Sequence, residues 1–144
     1  MSQHTIFIAE DDEDDQFLLR SAFGSVGKSC ELVFFNNGEQ LLHRLSQTPQ
    51  RPTLVLLDLN MPVMDGFQTL TELRQLEPYK TLPVIILTTS NQHDDMTRAY
   101  SLGANSFITK PNQYNELLQT VQQLQQFWLN LAQTSPRPDA ARAA

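Results

Sequence analysis

Five chemically active side chains stand directly after short apolar runs of the sequence. They are Glu10, Asp11, Asp58, Thr88 and Lys110. The run before Asp58 is uninterrupted over residues 54–57, which is typical of a strand buried on both faces. An Asp in such a place is most often a turn former, so its interpretation depends on what the other strand ends supply.

The three carboxylates in this set predict a metal site. Two carboxylates roughly 4 Å apart repel by about 4 kcal/mol at an effective dielectric constant near 20, a cost that is tolerated when a cation lies between them. Ligands that are oxygen alone favour Mg²⁺, or Mn²⁺ in its place, over zinc. We expect Glu10, Asp11 and Asp58 to bind the ion, and the backbone carbonyl of Asn60 to complete its shell.

A carboxylate beside a divalent cation is a candidate nucleophile for phosphoryl transfer. We expect Asp58 to attack a phosphorus atom and to form an aspartyl phosphate. The Lys110 ammonium would offset charge on the phosphoryl oxygens, and the Thr88 hydroxyl would donate a hydrogen bond to one of them. Asn60 and Ser90 flank the expected path of attacking water, so we expect them to tune hydrolysis of the phosphate.

Alternating strand-like and helix-like segments would bring these residues together. Apolar runs over residues 5–9, 32–35, 54–57, 84–87 and 106–109 each precede a segment with helical periodicity. This alternation predicts an α/β three-layer sandwich with parallel strands and right-handed crossovers. Ligands bind at the carboxyl ends of such strands, where residues distant in sequence meet. We assign Asp12–Asp15 to the cap and first turn of the first helix, not to the site.

The composition sets limits on domain number and on partners. A chain of 144 residues suits one domain, expected over residues 1–131, with a disordered tail over 132–144. The net charge of −6 argues against binding to nucleic acid or to an anionic membrane. The single cysteine excludes an internal disulfide, and no apolar stretch approaches the roughly 18 residues of a membrane span. We therefore expect a soluble, cytoplasmic protein.

The last two helices carry further expectations. Asp94 is expected to cap the fourth helix, and Gly103 to end it. The last helix is expected over Gln113 to Leu131, with an apolar stripe at alternating spacings of three and four. Three apolar residues lie beyond the expected end of the sheet, namely Phe127, Trp128 and Leu129. We expect them to anchor a homodimer that forms through the fourth and fifth helices and the strand between them.

Four segments together resemble the receiver domain of two-component response regulators. They are IAEDD (8–12), LLDLNMPVMDG (56–66), IILTTS (85–90) and LGANSFITKP (102–111). The resemblance implies a flavodoxin-like (βα)5 fold with a five-stranded parallel sheet of order 2-1-3-4-5. It also implies phosphorylation of Asp58 by a phosphohistidine on a sensor histidine kinase, and a switch involving Thr88 and Phe107. A cis Lys110–Pro111 bond is implied as well.

A narrower resemblance is to stand-alone regulators that partner bacterial phytochrome kinases. It is carried by the segments DLNMP (58–62), LTTS (87–90), YSLGANSF (100–107) and FWL (127–129). It implies a phytochrome as the kinase and a downstream phosphotransfer or effector protein as the recipient. The chain departs from the common receiver pattern with Glu10 in place of Asp, Phe107 in place of Tyr, and Thr89 in place of a small residue.

Two other functions use a similar fold or chemistry. A phosphatase or phosphotransferase with an Asp nucleophile and Mg²⁺ needs a second acid beside the nucleophile, and Asn60 stands at that position. A flavin-binding electron carrier needs a phosphate-binding loop after the first strand, where this chain has an acidic cluster. The enzyme is the nearer alternative to a signalling switch.

Overall fold

The sheet has five strands, all parallel. The computed structural model describes residues 4–26, 30–47 and 51–131, so the expected tail over 132–144 lies outside the described residues. The strands are β1 (His4–Ala9), β2 (Cys30–Phe35), β3 (Leu54–Leu57), β4 (Val84–Thr88) and β5 (Ser106–Thr109). They pair in the order β2-β1-β3-β4-β5. The predicted strand order is confirmed.

Helices connect the strands and cover both faces of the sheet. They are α1 (Glu13–Val26), α2 (Gly38–Gln47), α3 (Gly66–Gln75), α4 (His93–Ser101) and α5 (Tyr114–Leu124), with a 3₁₀ turn at Glu77–Tyr79 and a π-helical segment at Gln125–Leu131. None of the helices in the described residues is long and apolar enough to cross a membrane.

Alternate residues of each strand enter two separate cores. Phe7 of β1 points into a core with α2, α3 and α4, whereas Ile6 and Ile8 point into a core with α1 and α5. Because both faces are covered, β3 is apolar at every position, as its uninterrupted run in the sequence indicated. The result is the predicted three-layer sandwich.

Three local predictions have different outcomes. Gly103 ends α4 with φ +110°, a conformation that favours glycine. The cap prediction for Asp94 is wrong, because the chain enters α4 earlier, through Gln92 in an extended conformation, and Asp94 lies in the first turn. The cis prediction for Lys110–Pro111 is also wrong: every peptide bond in the described ranges is trans, the form preferred by about 0.5–1 kcal/mol before proline.

Candidate functional site

Asp58 follows β3 directly, and both its backbone and its side chain are hydrogen-bonded. Its backbone N–H donates to the Ala9 carbonyl (3.1 Å), which extends the pairing of β3 with β1. Its Oδ1 accepts a hydrogen bond from the Asn60 N–H (3.4 Å), and the residue is only 7 % exposed. A buried carboxylate at a strand end is therefore fixed against the sheet.

The loop after Asp58 folds back on it before α3 begins. A Cβ on Gly66 would lie 2.3 Å from the Asp58 carbonyl oxygen, so only glycine fits there without a shift of the backbone. Asp65 caps α3 by accepting the Gln68 N–H (2.9 Å), and the Gln68 side chain accepts the Asp65 N–H (3.2 Å). This capping box gives the loop a defined end.

Three carboxylates from two strand ends converge. Oxygens of Glu10, Asp11 and Asp58 all lie within 4.8 Å of one another. Glu10 and Asp58 are buried, whereas Asp11 is exposed. An all-oxygen donor set that is partly open to solvent suits a hard divalent cation which retains water ligands, so the residues present fit such an ion.

Lys110 brings an ammonium group to these carboxylates from the end of β5. Its Nζ lies 2.8 Å from Asp15 Oδ2 and 3.2 Å from Asp58 Oδ2, and it also donates to Glu10 Oε1. The backbone N–H of Lys110 donates to the Thr88 carbonyl (2.6 Å), which fixes the Lys110 backbone next to β4. The Lys110 ammonium thus neutralises part of the negative charge of the cluster.

The pKa values of Glu10 and Lys110 are both raised, for different reasons. Burial raises the pKa of Glu10 from its ordinary 4.5 to about 7, although the Lys110 ammonium opposes this. Burial disfavours the charged form of Lys110, but its hydrogen bonds with Asp15 and Glu10 outweigh that effect and raise the pKa of the ammonium above its usual value. Near neutral pH, Lys110 is therefore charged and Glu10 is partly protonated.

Asp15 is a member of this group that reasoning from the sequence missed. Its carboxylate lies in the first turn of α1, as expected, but it faces Lys110. The acidic first turn had a sufficient local explanation in the helix dipole, so no further role was sought. No spacing signal in the sequence separates Asp15 from Glu13 and Asp14, which lie in the same helical turn.

Thr88 and Ser90 lie beside this group. Thr88 is fully buried, and its Oγ1 accepts a hydrogen bond from the Ser90 N–H (3.4 Å). Ser90 in turn donates through Oγ to Asp95 Oδ2 at the start of α4 (2.6 Å). Within the described residues, the Thr88 hydroxyl is therefore engaged by its own loop and not by Asp58.

Phe107 lies in β5, which forms one edge of the sheet. Its ring is partly buried against the core of α2, α3 and α4. Its backbone N–H donates to the Tyr100 hydroxyl (3.1 Å), so α4 covers that part of the edge. Phe107 thus contacts the same helix whose start Ser90 holds.

The three residues expected to anchor a dimer are not equivalent. Phe127 is 51 % exposed and makes an edge-to-face contact with Trp128, with ring centroids 5.0 Å apart. Trp128 and Leu129 are partly buried against the core of α1 and α5. Phe127 is therefore the member of the trio that projects most toward solvent.

Comparison with known proteins agrees with this geometry. A family model described as response regulator receiver domain matches residues 6–122. Response regulator Rcp1 of Synechocystis sp. is 34 % identical over 129 residues, which are 86 % of this chain and 88 % of Rcp1. The structure of its Mn²⁺-bound form has a TM-score of 0.83 at 32 % identity, covering 92 % of this chain and 99 % of that one.

Two further solved structures are similar over most of the chain. The phosphorylated cyanobacterial phytochrome response regulator RcpA has a TM-score of 0.88 at 33 % identity, covering 94 % of this chain and 100 % of RcpA. Response regulator RPA3017, in red light signaling of R. palustris, has a TM-score of 0.86 at 34 % identity, covering 92 % of this chain and 99 % of that one. The chain belongs to the response regulator receiver domain family.

Proposed function

We propose that this chain is a signalling switch in which Asp58 accepts a phosphoryl group from the phosphohistidine of a sensor histidine kinase. The observation that carries the proposal is the environment of the Asp58 carboxylate. It is buried, it lies 3.2 Å from the Lys110 ammonium, and it shares an acidic cluster with Glu10 and Asp11. Membership of the receiver family supplies the class of partner, a histidine kinase.

The acidic cluster is the proposed site of Mg²⁺, with Mn²⁺ as a substitute. Glu10, Asp11 and Asp58 would hold the ion, and the backbone carbonyl of Asn60 would add a further oxygen. The Mn²⁺-bound form of Rcp1 supports a divalent ion in this class of site. When bound, the ion supplies charge stabilisation for the phosphoryl oxygens during transfer.

The chemistry at Asp58 is a displacement at phosphorus. A carboxylate oxygen of Asp58 forms the new O–P bond, while the P–N bond of the phosphohistidine breaks and its electron pair returns to the imidazole nitrogen. The Lys110 ammonium donates hydrogen bonds to the phosphoryl oxygens, which carry the charge. Burial of Asp58 strengthens that interaction, because fewer water molecules screen it.

We assign the conformational response to Thr88 and Phe107. The Thr88 hydroxyl accepts the Ser90 N–H at a long distance, 3.4 Å, and its own O–H can donate to a phosphoryl oxygen, which is a charged acceptor. Turning the hydroxyl toward Asp58 would free space and hydrogen bonds in the loop that leads to α4. Phe107 has no hydroxyl, so its ring would respond through packing alone. Asn60 and Ser90 would tune hydrolysis.

The similar proteins suggest which signal the switch receives. RcpA is a phytochrome response regulator, and RPA3017 acts in red light signaling. We propose a phytochrome-type kinase as the phosphodonor and a phosphotransfer or effector protein as the recipient. A homodimer through α4, β5 and α5 is also proposed. It is supported by two half-exposed aromatic residues, Tyr100 of α4 and Phe127 of the π-helical segment that follows α5.

Acetyl phosphate with Mg²⁺ tests the central proposal. The wild-type chain is expected to gain one phosphoryl group by intact mass, and Asp58→Asn none. Asp14→Asn, which changes an exposed carboxylate of α1 outside the acidic cluster, serves as the control. Absence of a phosphoryl group on the wild-type chain would contradict the switch. Continuous turnover of a phosphoester would instead support the phosphatase or phosphotransferase alternative.

A further inference from the structure

Lys110 has as many carboxylate partners as its ammonium has hydrogens. An ammonium group donates up to three hydrogen bonds, and Nζ donates to Glu10, Asp15 and Asp58. Each of the three donors therefore has an acceptor. The three acceptors differ in whether they also belong to the proposed cation site.

Two of these acceptors belong to the proposed cation site. Glu10 and Asp58 lie in the cluster whose oxygens are within 4.8 Å of one another, and Asp15 is not part of that cluster. A divalent cation there would attract the oxygens of Glu10 and Asp58 and would repel the Lys110 ammonium. The Asp15 carboxylate does not enter this competition, so it can keep its contact with Lys110.

Asp15 is also well fixed for this purpose. Its backbone N–H donates to Asp12 Oδ1 (2.9 Å), a side-chain cap at the start of α1. A carboxylate in the first turn of a helix is favoured by the helix dipole. The side chain is 33 % exposed, compared with 11 % for Lys110, so it closes the outer side of the lysine.

Without the contact to Asp15, the Lys110 side chain could take a different position. A small cavity adjoins its side chain on the side of α1 and α5, lined mainly by apolar residues. The lining residues are Asp15, Leu18, Leu19, Leu87, Lys110, Pro111 and Leu117. A lysine stem fits against such apolar walls while its ammonium reaches water. Asp15 opposes that rearrangement.

We propose that Asp15 is a positioning residue for Lys110, a counter-ion that keeps the ammonium beside Asp58 while a divalent cation occupies Glu10 and Asp58. This rests on the proposed function, since it assigns to Lys110 a role in phosphoryl transfer. Asp15 itself touches neither the nucleophile nor, in this proposal, the transferred group. Asp15 affects phosphoryl transfer only by fixing the position of the Lys110 Nζ atom.

The side-chain ammonium signals of the lysines provide a direct test. The chain has three lysines, Lys28, Lys80 and Lys110, so ¹H–¹⁵N correlation spectra of protein labelled on lysine are simple to assign with Lys28→Arg and Lys80→Arg. The variants to compare at saturating Mg²⁺ are Asp15→Asn, Asp15→Glu and Asp14→Asn. Asp14 is the matched control, because it is an exposed carboxylate in the same helical turn and is not an ion-pair partner of Lys110.

The wild-type chain and Asp14→Asn are expected to show a protected Lys110 ammonium signal with Mg²⁺. Asp15→Asn is expected to lose it, and Asp15→Glu to recover it. Phosphorylation by acetyl phosphate should be about tenfold slower in Asp15→Asn than in Asp14→Asn, the size expected when one charge-assisted hydrogen bond is lost. Backbone amide spectra show whether each variant is folded.

Two results would overturn the proposal. One is a Lys110 signal in Asp15→Asn with Mg²⁺ that matches the control. The other is a phosphorylation rate in Asp15→Asn within twofold of Asp14→Asn. If the wild-type chain accepts no phosphoryl group, the proposed function fails, and the ammonium signals with Mg²⁺ alone still decide the role of Asp15.

Discussion

The Nζ of Lys110 lies 3.2 Å from Oδ2 of Asp58, so the proposed nucleophile is paired with a cation before any metal binds. The same ammonium has two roles that compete. It neutralises the carboxylate in the resting site, and it is proposed to stabilise the phosphoryl group during transfer. Removing it should therefore affect metal binding and phosphorylation in opposite directions.

Replacing Lys110 with methionine tests this opposition. Loss of the ammonium leaves the three carboxylates without their internal cation, so Mg²⁺ should bind more tightly than in the wild-type chain. Phosphorylation by acetyl phosphate should slow by about 10²–10³-fold, the usual loss when one donor to a developing oxyanion is removed. Isothermal titration with Mg²⁺ and intact mass against time measure the two effects.

Lys80→Met is the matched control for that substitution. Lys80 is an exposed lysine whose ion pair with Glu77 (3.4 Å) lies away from the strand ends. It should change neither quantity. Weaker Mg²⁺ binding in Lys110→Met would mean that the lysine supports the metal site and does not compete with it.

The raised pKa of Glu10 predicts how stability depends on pH. Folded Glu10 holds its proton up to about pH 7, whereas in the unfolded chain the pKa is near the ordinary 4.5. Protonated Glu10 therefore contributes stability that is fully present below pH 4.5 and is lost as the pH rises through about 7. The urea midpoint of the metal-free protein should fall over this range.

Two comparisons assign that slope to Glu10. Glu10→Gln should flatten it, while Glu39→Gln, which changes an exposed carboxylate in the first turn of α2, should leave it as in the wild-type chain. Saturating Mg²⁺ should reverse the trend, because the ion binds the ionised carboxylate. An unchanged slope in Glu10→Gln would refute the assignment.

Gly66 should be intolerant of even one added carbon. A Cβ there would meet the Asp58 carbonyl oxygen at 2.3 Å and the Leu59 Cα at 2.8 Å, and both are backbone atoms of the loop. We expect Gly66→Ala to lower the free energy of unfolding by about 1–3 kcal/mol and to slow phosphorylation, because the shift reaches Asp58. Urea unfolding and mass against time measure both.

Gly24→Ala is the opposite case and the control. Gly24 lies inside α1, and a Cβ there would have no heavy atom within 4 Å. The substitution should raise the free energy of unfolding by about 0.5–1 kcal/mol, through helix propensity alone. Equal effects of the two substitutions would show that the close approach at Gly66 is not restrictive.

The proposed dimer makes a prediction about Phe127. Phe127→Glu should leave the fold intact, because the ring is half exposed, and should abolish the proposed dimer. Phe17→Glu is the control: Phe17 is 68 % exposed but lies on α1, outside the proposed face. Light scattering at high micromolar concentration, before and after acetyl phosphate, gives the oligomeric state. A monomer throughout in the wild-type chain would refute the dimer.

The general architecture could be predicted because its causes are local. Uninterrupted apolar runs identify strands covered on both faces. Parallel pairing then places four site residues together at the carboxyl ends of the strands, namely Glu10, Asp11, Asp58 and Lys110. Each of these inferences uses only the period of the pattern and the residue at its end. The five strands followed from this pattern, whereas their order was implied by the family resemblance.

The remaining details depend on contacts that the pattern does not encode. Asp15 already had a reason to be acidic at a helix start, so its contact with Lys110 was hidden by a sufficient local explanation. Trp128 and Leu129 lie in a π-helical segment, whose wider turns change the rotation from one residue to the next. A fixed spacing of three and four residues could not show which of them faces the core.

The hydrogen bond from the Phe107 N–H to the Tyr100 hydroxyl bears on how copies of this chain can associate. An uncovered edge strand offers its backbone donors to any other strand and so invites uncontrolled aggregation. Here a tyrosine of α4 occupies one such donor in the middle of β5. Association on this side of the molecule should therefore proceed through side chains, which can be selective and reversible, and not through growth of the sheet from one molecule into the next.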